Sequence, residues 1–123
     1  MRKQYYFRPS DRGLVAWDVD RLIRLSSRLP RRSVPLARIG ELDEVWCGDD
    51  EPPTWRAMLD HIRLIDEADP SFPIILAANG RVMDGMHRVA KAVREGRREI
   101  EAVQFTEDPA PDHVGRGPGG LPY

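Results

Sequence analysis

The most informative segment of the chain is residues 80–92, which read GRVMDGMHRVAKA. Residues 81–83 predict a short strand, and Asp84 predicts the N-cap of a helix from Gly85 to about Glu95. The apolar side of that helix is formed by Met86, Val89, Ala90 and Val93. This part of the chain is therefore predicted to form a strand, a tight turn and a helix in direct succession.

The first turn of the predicted helix has the features of an anion site. Its backbone N–H groups have no helical partners and lie at the positive end of the helix dipole. Gly85 allows a ligand to approach the backbone closely, and Arg88 offers a planar fork that suits phosphate. His87 can donate to a phosphate oxygen or exchange a proton near neutral pH. The alternative is that Asp84 only caps the helix and that His87 and Arg88 are solvated.

Residues 84–90, DGMHRVA, resemble the signature of the ParB/sulfiredoxin superfamily, in which a strand, turn and helix carry Gly-x-x-Arg or Gly-x-His-Arg. The resemblance covers roughly residues 33–105 and corresponds to a ParB N-terminal-like domain. The Asp-Gly-x-His-Arg variant is most similar to that of the free-serine kinases in the superfamily, which have Asp-Gly-His-His-Arg. The resemblance implies a nucleotide-phosphate pocket for ATP, ADP or CTP with magnesium.

The resemblance also implies roles for individual residues. The cofactor-binding residues would be Asp84, Gly85, Met86, His87 and Arg88. The Gly85 and Met86 N–H groups and Arg88 would hold phosphate, and His87 would donate to phosphate or take part in proton transfer. Asp84 would cap the helix or orient a metal ion. Sulfiredoxin has its reactive cysteine where this chain has Met86, so peroxiredoxin repair is not supported. DNA-partition proteins continue into a helix-turn-helix domain, whereas this sequence continues into a Pro/Gly-rich stretch, so we do not expect a complete DNA clamp.

An acidic stretch supplies candidates for the remaining chemistry. In the serine-kinase relatives a carboxylate in a comparable region acts as general base, a role that Glu41 or Glu44 would take here. Asp43 and Asp84 are the candidate magnesium ligands. A solvated acidic loop is the alternative interpretation.

The rest of the chain predicts a small, single-domain α+β fold with a short mixed sheet and packed helices, ParB/sulfiredoxin-like. We expect an N-terminal extension with an amphipathic helix in residues 1–32, the main domain in residues 33–106 and a Pro/Gly-rich tail in residues 107–123. Residues 1–13 are expected to be irregular, and the tail to have little capacity to pack.

Several local signals place the elements. Asp18 predicts the cap of a helix over 19–29, and Thr54 that of a strongly amphipathic helix over 55–68. The predicted strands are 34–39, 72–77, 81–83 and 99–105, and Asn79-Gly80 predicts a hairpin turn between the second and third.

His61 and a stripe of arginines are each open to two interpretations. His61 lies on the apolar side of its helix, as a core histidine or as a residue that points at the ligand. The basic stripe Arg21, Arg24 and Arg28 is a solvated face or a track for a nucleic-acid backbone. Cys47 is interpreted as structural, and the three tryptophans as core or pocket-wall residues: Trp17, Trp46 and Trp55.

Composition limits the class of protein. The chain has 123 residues, a net charge of −1 and one cysteine, which excludes an internal disulfide and a Cys-rich zinc site. The longest apolar run is Ile74 to Ala78, so we expect no membrane span, and the polar start predicts no signal peptide and a bacterial, cytoplasmic location.

Two functions follow from these patterns. The first is a nucleotide-binding protein that acts as a phosphotransferase on a small-molecule acceptor or as a nucleotide hydrolase. The second is a non-catalytic module of the same family that associates with DNA or another protein through the arginine stripe.

Overall fold

The computed structural model describes residues 3–44 and 54–122, and in these ranges the chain forms seven strands and three α-helices. The strands are β1 (Tyr5–Ser10), β2 (Gly13–Asp18), β3 (Arg32–Pro35), β4 (Ile74–Leu76), β5 (Val82–Asp84), β6 (Glu99–Gln104) and β7 (His113–Val114). The helices are α1 (Val19–Ser26), α2 (Trp55–Glu67) and α3 (Met86–Arg94). This content confirms the small α+β fold.

The larger of two sheets is mixed, with the strand order β3-β6-β4-β5. β6 runs antiparallel to β3 and parallel to β4, and β4 and β5 form an antiparallel hairpin. The Asn79-Gly80 turn predicted from sequence connects that hairpin: the Asn79 side chain accepts from the Arg81 N–H at 3.0 Å, and Gly80 has φ +88°. The hairpin delivers Asp84 directly to the start of α3.

Two predicted helix caps are confirmed. The Asp18 carboxylate accepts from the Asp20 N–H at 2.9 Å, and the Thr54 hydroxyl accepts from the Ala57 N–H at 3.1 Å. The bounds of two elements differ from the prediction by three residues or more. The first helix ends at Ser26 and not near residue 29, and the predicted strand over 34–39 is a strand only to Pro35, followed by short 3₁₀ turns.

The smaller sheet joins the two ends of the chain, in the order β1-β2-β7. The prediction of an irregular segment in residues 1–13 was wrong, because β1 pairs with β2 along its whole length. The C-terminal segment packs against these strands: the Trp17 indole donates to the Pro109 carbonyl at 2.7 Å, and the Asp112 carboxylate accepts from the Asp18 N–H at 2.8 Å. Leu121 is buried. Residues 107–122 therefore complete the structure of the N-terminal sheet.

The hydrophobic core lies on both faces of the larger sheet. Since side chains alternate along a strand, Ile74 and Ile75 of β4 enter opposite clusters. Val89 of α3 packs on the Ile74 face, and Leu22 of α1 packs on the Ile75 face. Residues of α3 and of α1 thus flank the sheet on opposite sides.

Helix α2 is amphipathic as predicted, but none of its residues is buried. It packs mainly against α3. Trp55, expected in the core or a pocket wall, is 81% exposed. Trp46 and Cys47 lie outside the described residues.

Candidate functional site

The N-terminus of α3 is open to a ligand. Gly85 is the N-cap residue, no side chain caps the helix within the described part of the chain, and the first turn contains no acidic residue. The positive end of the helix dipole is therefore not balanced by a carboxylate of its own first turn. The expectation that Asp84 caps this helix was wrong, because the Asp84 carboxylate instead accepts from the Arg88 guanidinium at 3.0 Å.

Gly85 is required here for packing. It has φ +114°, and a Cβ atom on it would lie 2.6 Å from Ile74 Cγ2 and 2.8 Å from Arg88 Nη2. The space that a side chain at Gly85 would take is thus occupied by Ile74 and Arg88 and is not open to a ligand. The glycine permits the strand, the helix and the Arg88 side chain to meet at one point.

Arg88 lies deep in the structure. Its side chain is 18% exposed, and its Nε atom is buried with no hydrogen-bond partner in the described residues. Arg88 and Asp84 line a cavity of about 430 Å³ beneath α1, which we call the Arg88 cavity. Arg88 does not line either of the two pockets that contain His87.

His87 separates two pockets. One, the N-terminal pocket, has a volume of about 470 Å³ and is lined by residues of β1, by Lys3 and by Gly85, Met86 and His87. The other, the acidic pocket, has a volume of about 300 Å³ and contains the two predicted general bases, Glu41 and Glu44, together with His61 and His87. The fold thus brings all three predicted catalytic residues to one pocket.

His61 pairs with His87. Nδ1 of His61 lies 3.3 Å from Nε2 of His87, and the ring centroids are 5.5 Å apart. Burial lowers the pKa of His87, and the nearby His61 and Arg88 lower it further, against the opposing effect of Asp84. His87 is consequently neutral at pH 7 and can accept a proton. His61 thus lines the acidic pocket and contacts His87, and it is not one of the buried core residues.

The two glutamates are held by the β4–β5 hairpin. Glu44 binds Arg81 through both carboxylate oxygens, at 2.5 and 2.8 Å, and the Arg81 guanidinium lowers the pKa of Glu44. Glu41, whose side chain is 13% exposed, accepts from the Val82 N–H and lies 3.7 Å from Arg81 Nε. Glu44 is therefore a weak base, and both carboxylates are pre-positioned acceptors.

The predicted magnesium ligands do not form one site. Asp43 is exposed and does not line the acidic pocket, whereas Asp84 is paired with Arg88 and lines the other two spaces. In residues 3–44 and 54–122, no group of three or more His, Cys, Asp or Glu residues is arranged to hold a metal ion. Asp43 and Asp84 therefore do not act together on one ion.

The arginine stripe on α1 is partly engaged. Arg21 donates to the Ala110 carbonyl at 2.8 Å and pairs with Asp112 at 3.2 Å, whereas Arg24 and Arg28 are exposed. The C-terminal segment thus neutralises one end of the stripe, which weakens its fit to a phosphate backbone.

Comparison of the chain with family models, with curated proteins and with solved structures finds no match. Across the described residues, no helix has the length and apolar character needed to cross a bilayer.

Proposed function

We propose that this protein binds the phosphates of a nucleotide at the N-terminus of α3 and transfers the terminal phosphoryl group to a small hydroxyl compound in the acidic pocket. The observation that carries the proposal is the position of His87. It lies in the first turn of α3 and lines both the N-terminal pocket and the acidic pocket. A group bound at the helix end is thereby adjacent to a second compartment that contains proton acceptors.

Phosphate binding is supported by three features of the N-terminal pocket. The first N–H groups of α3 and the helix dipole favour a negative charge. His87 adds a side-chain donor when its tautomer carries the proton. Lys3, which pairs with Asp18 at 2.9 Å, brings an ammonium group to the same pocket. The resemblance of residues 84–90 to the ParB/sulfiredoxin signature supports the same assignment and suggests ATP, ADP or CTP.

The acidic pocket supports the acceptor. Glu41, Glu44 and the His61–His87 pair offer hydrogen-bond acceptors to a hydroxyl group. In the proposed step the acceptor oxygen bonds to the terminal phosphorus, the bond to the bridging oxygen breaks, and His87 takes the hydroxyl proton. Phosphoryl transfer needs mainly positioning and charge stabilisation, which preformed pockets supply. No step is assigned to magnesium, because Asp43 and Asp84 do not share a pocket.

The test compares two variants of the same residue. His87→Glu places a carboxylate in the first turn of α3, which favours the helix and repels phosphate. His87→Gln has nearly the same shape without the charge. Thermal unfolding is measured for wild type and both variants with ATP, ADP, CTP and GTP, and phosphate transfer or release is followed in parallel.

We expect one nucleotide at 100 times its dissociation constant to stabilise the wild type by about 2.7 kcal/mol, on the order of 10 °C in a domain of this size. His87→Gln should keep most of that shift but lose turnover, and His87→Glu should lose the shift while it remains folded. Absence of a shift with every nucleotide, or an equal shift in His87→Glu, would overturn the proposal.

A further inference from the structure

We propose that the Arg88 cavity binds a small monocarboxylate with an apolar body, at a site separate from the proposed nucleotide site. The cavity lies on the α1 face of the larger sheet, and its volume of about 430 Å³ is within the range of small-molecule sites. It shares Asp84 with the N-terminal pocket, but it contains neither His87 nor either glutamate of the acidic pocket.

The walls of the cavity are apolar. They are formed by Ile23, Leu29, Phe72, Pro73, Ile75 and Val103. Ile75 and Val103 are buried, whereas Ile23 and Phe72 are 50% and 59% exposed. An apolar ligand body would cover these two exposed side chains, which are otherwise in contact with water, and that burial favours binding.

The floor of the cavity carries a guanidinium group that is not fully satisfied. Asp84 accepts from Arg88 Nη2, but the buried Nε of Arg88 has no partner in the described residues. The exposed part of the guanidinium is available to a ligand, and a carboxylate there would add a second ion pair beside the one with Asp84. Arginine is also the side chain best suited to bind a carboxylate through two parallel hydrogen bonds.

The charge of the cavity indicates a singly charged ligand. Its charged lining residues are Arg88, Arg31 and Asp84, which leaves one excess positive charge. Arg31 lies at the rim, where its only ion pair in the described residues is with the exposed Glu101 at 3.5 Å. Glu101 lies outside the lining, and both side chains of its pair with Arg31 are about half exposed, so it offsets the Arg31 charge only weakly. A monoanion therefore suits the cavity better than a phosphate dianion, which would leave an excess negative charge in an apolar site.

Octanoate is the probe, and octan-1-ol is its uncharged counterpart. Binding is measured by calorimetry and by NMR, in which the Arg88 Nε–H resonance reports directly on the floor of the cavity. Two variants of α1 provide a matched pair. Ile23 and Leu25 are exposed to 50% and 46%, but only Ile23 lines the cavity. Ile23→Glu therefore places a negative charge at the site, and Leu25→Glu places the same charge beside it.

We expect saturable binding of octanoate with a shift of the Arg88 Nε–H resonance, and octan-1-ol should bind at least about tenfold more weakly. Ile23→Glu should weaken octanoate binding at least about tenfold, and Leu25→Glu should leave it unchanged. His87→Glu should also leave it unchanged, which separates this site from the nucleotide site. Absence of octanoate binding, equal binding of octan-1-ol, or equal effects of the two α1 variants would overturn the proposal.

Discussion

Replacement of Gly85 by alanine is the most informative test of the β5–α3 junction. Gly85 has φ +114°, and a Cβ atom would lie 2.6 Å from Cγ2 of Ile74, a fully buried side chain. Gly80, in the hairpin turn before it, has φ +88°, and a Cβ atom there would have nothing within 4 Å beyond its chain neighbours. Gly80→Ala is therefore a control with a positive φ and no collision.

The difference in unfolding free energy between Gly85→Ala and Gly80→Ala reports mainly the collision with Ile74. A positive φ costs an alanine about 1–2 kcal/mol, and the loss of unfolded-state freedom on replacing glycine is common to both variants. The collision with Ile74 adds about 1–3 kcal/mol, as for other overpacked cores. Because 1 kcal/mol corresponds to about 4 °C in a domain of this size, Gly85→Ala should melt about 4–12 °C below Gly80→Ala.

The assay is urea and thermal unfolding of both variants and the wild type, followed by far-UV circular dichroism. The slope of the unfolding free energy against urea should be the same for all three proteins, so that midpoints report stability. If Gly85→Ala unfolds at the same urea concentration as Gly80→Ala, the close approach of Gly85, Ile74 and Arg88 is not a feature of the fold.

Three further predictions concern side chains whose surroundings the fold determines. Because the pKa of His87 is lowered, the unfolded state binds more protons between that pKa and about 6.5, so the free energy of unfolding should fall as the pH drops below about 6.5. His87→Gln should reduce this dependence in urea titrations at several pH values, and an identical dependence would contradict the lowered pKa. Arg81→Gln should raise the pKa of Glu44 towards its ordinary range, measured by NMR of the carboxyl carbon, and an unchanged pKa would show that the ion pair does not persist. Trp17→Phe should lower the free energy of unfolding by about 1–3 kcal/mol, since it removes the indole N–H that donates to the Pro109 carbonyl. Trp55→Phe should change that free energy by less than about 0.5 kcal/mol, because Trp55 is exposed. Equal urea midpoints for the two tryptophan variants would refute the packing of that segment.

The elements that sequence analysis predicted correctly depend on short-range contacts. The caps at Asp18 and Thr54 and the turn at Asn79-Gly80 involve hydrogen bonds between residues two or three positions apart. Such hydrogen bonds depend on the identity of a few consecutive residues and not on the rest of the chain, so the sequence alone predicts them. Helix α3 begins at Met86, one residue later than predicted, although the cap predicted at Asp84 was wrong.

Helix α2 shows what the periodicity of apolar residues leaves undetermined. Its apolar side was predicted from periodicity, but periodicity does not specify how much surface is available to cover it. The helix packs mainly against α3, and Trp55 and Leu59 stay 81% and 62% exposed. The β1–β2 hairpin was missed although it is local: its pairs join residues 3 to 13 positions apart, and its turn ends at Gly13 with φ +86°.

From its amino-acid order alone, the chain specified an α+β fold and the succession of strand, turn and helix around Gly85, because local geometry and hydrogen bonding suffice for both. Only the tertiary structure decided which side chains share a pocket. His61 and His87 are 26 residues apart and Glu44 and Arg81 are 37 apart, yet each pair is in contact. Side-chain direction depends on the partners that folding brings together, and those partners are distant in sequence.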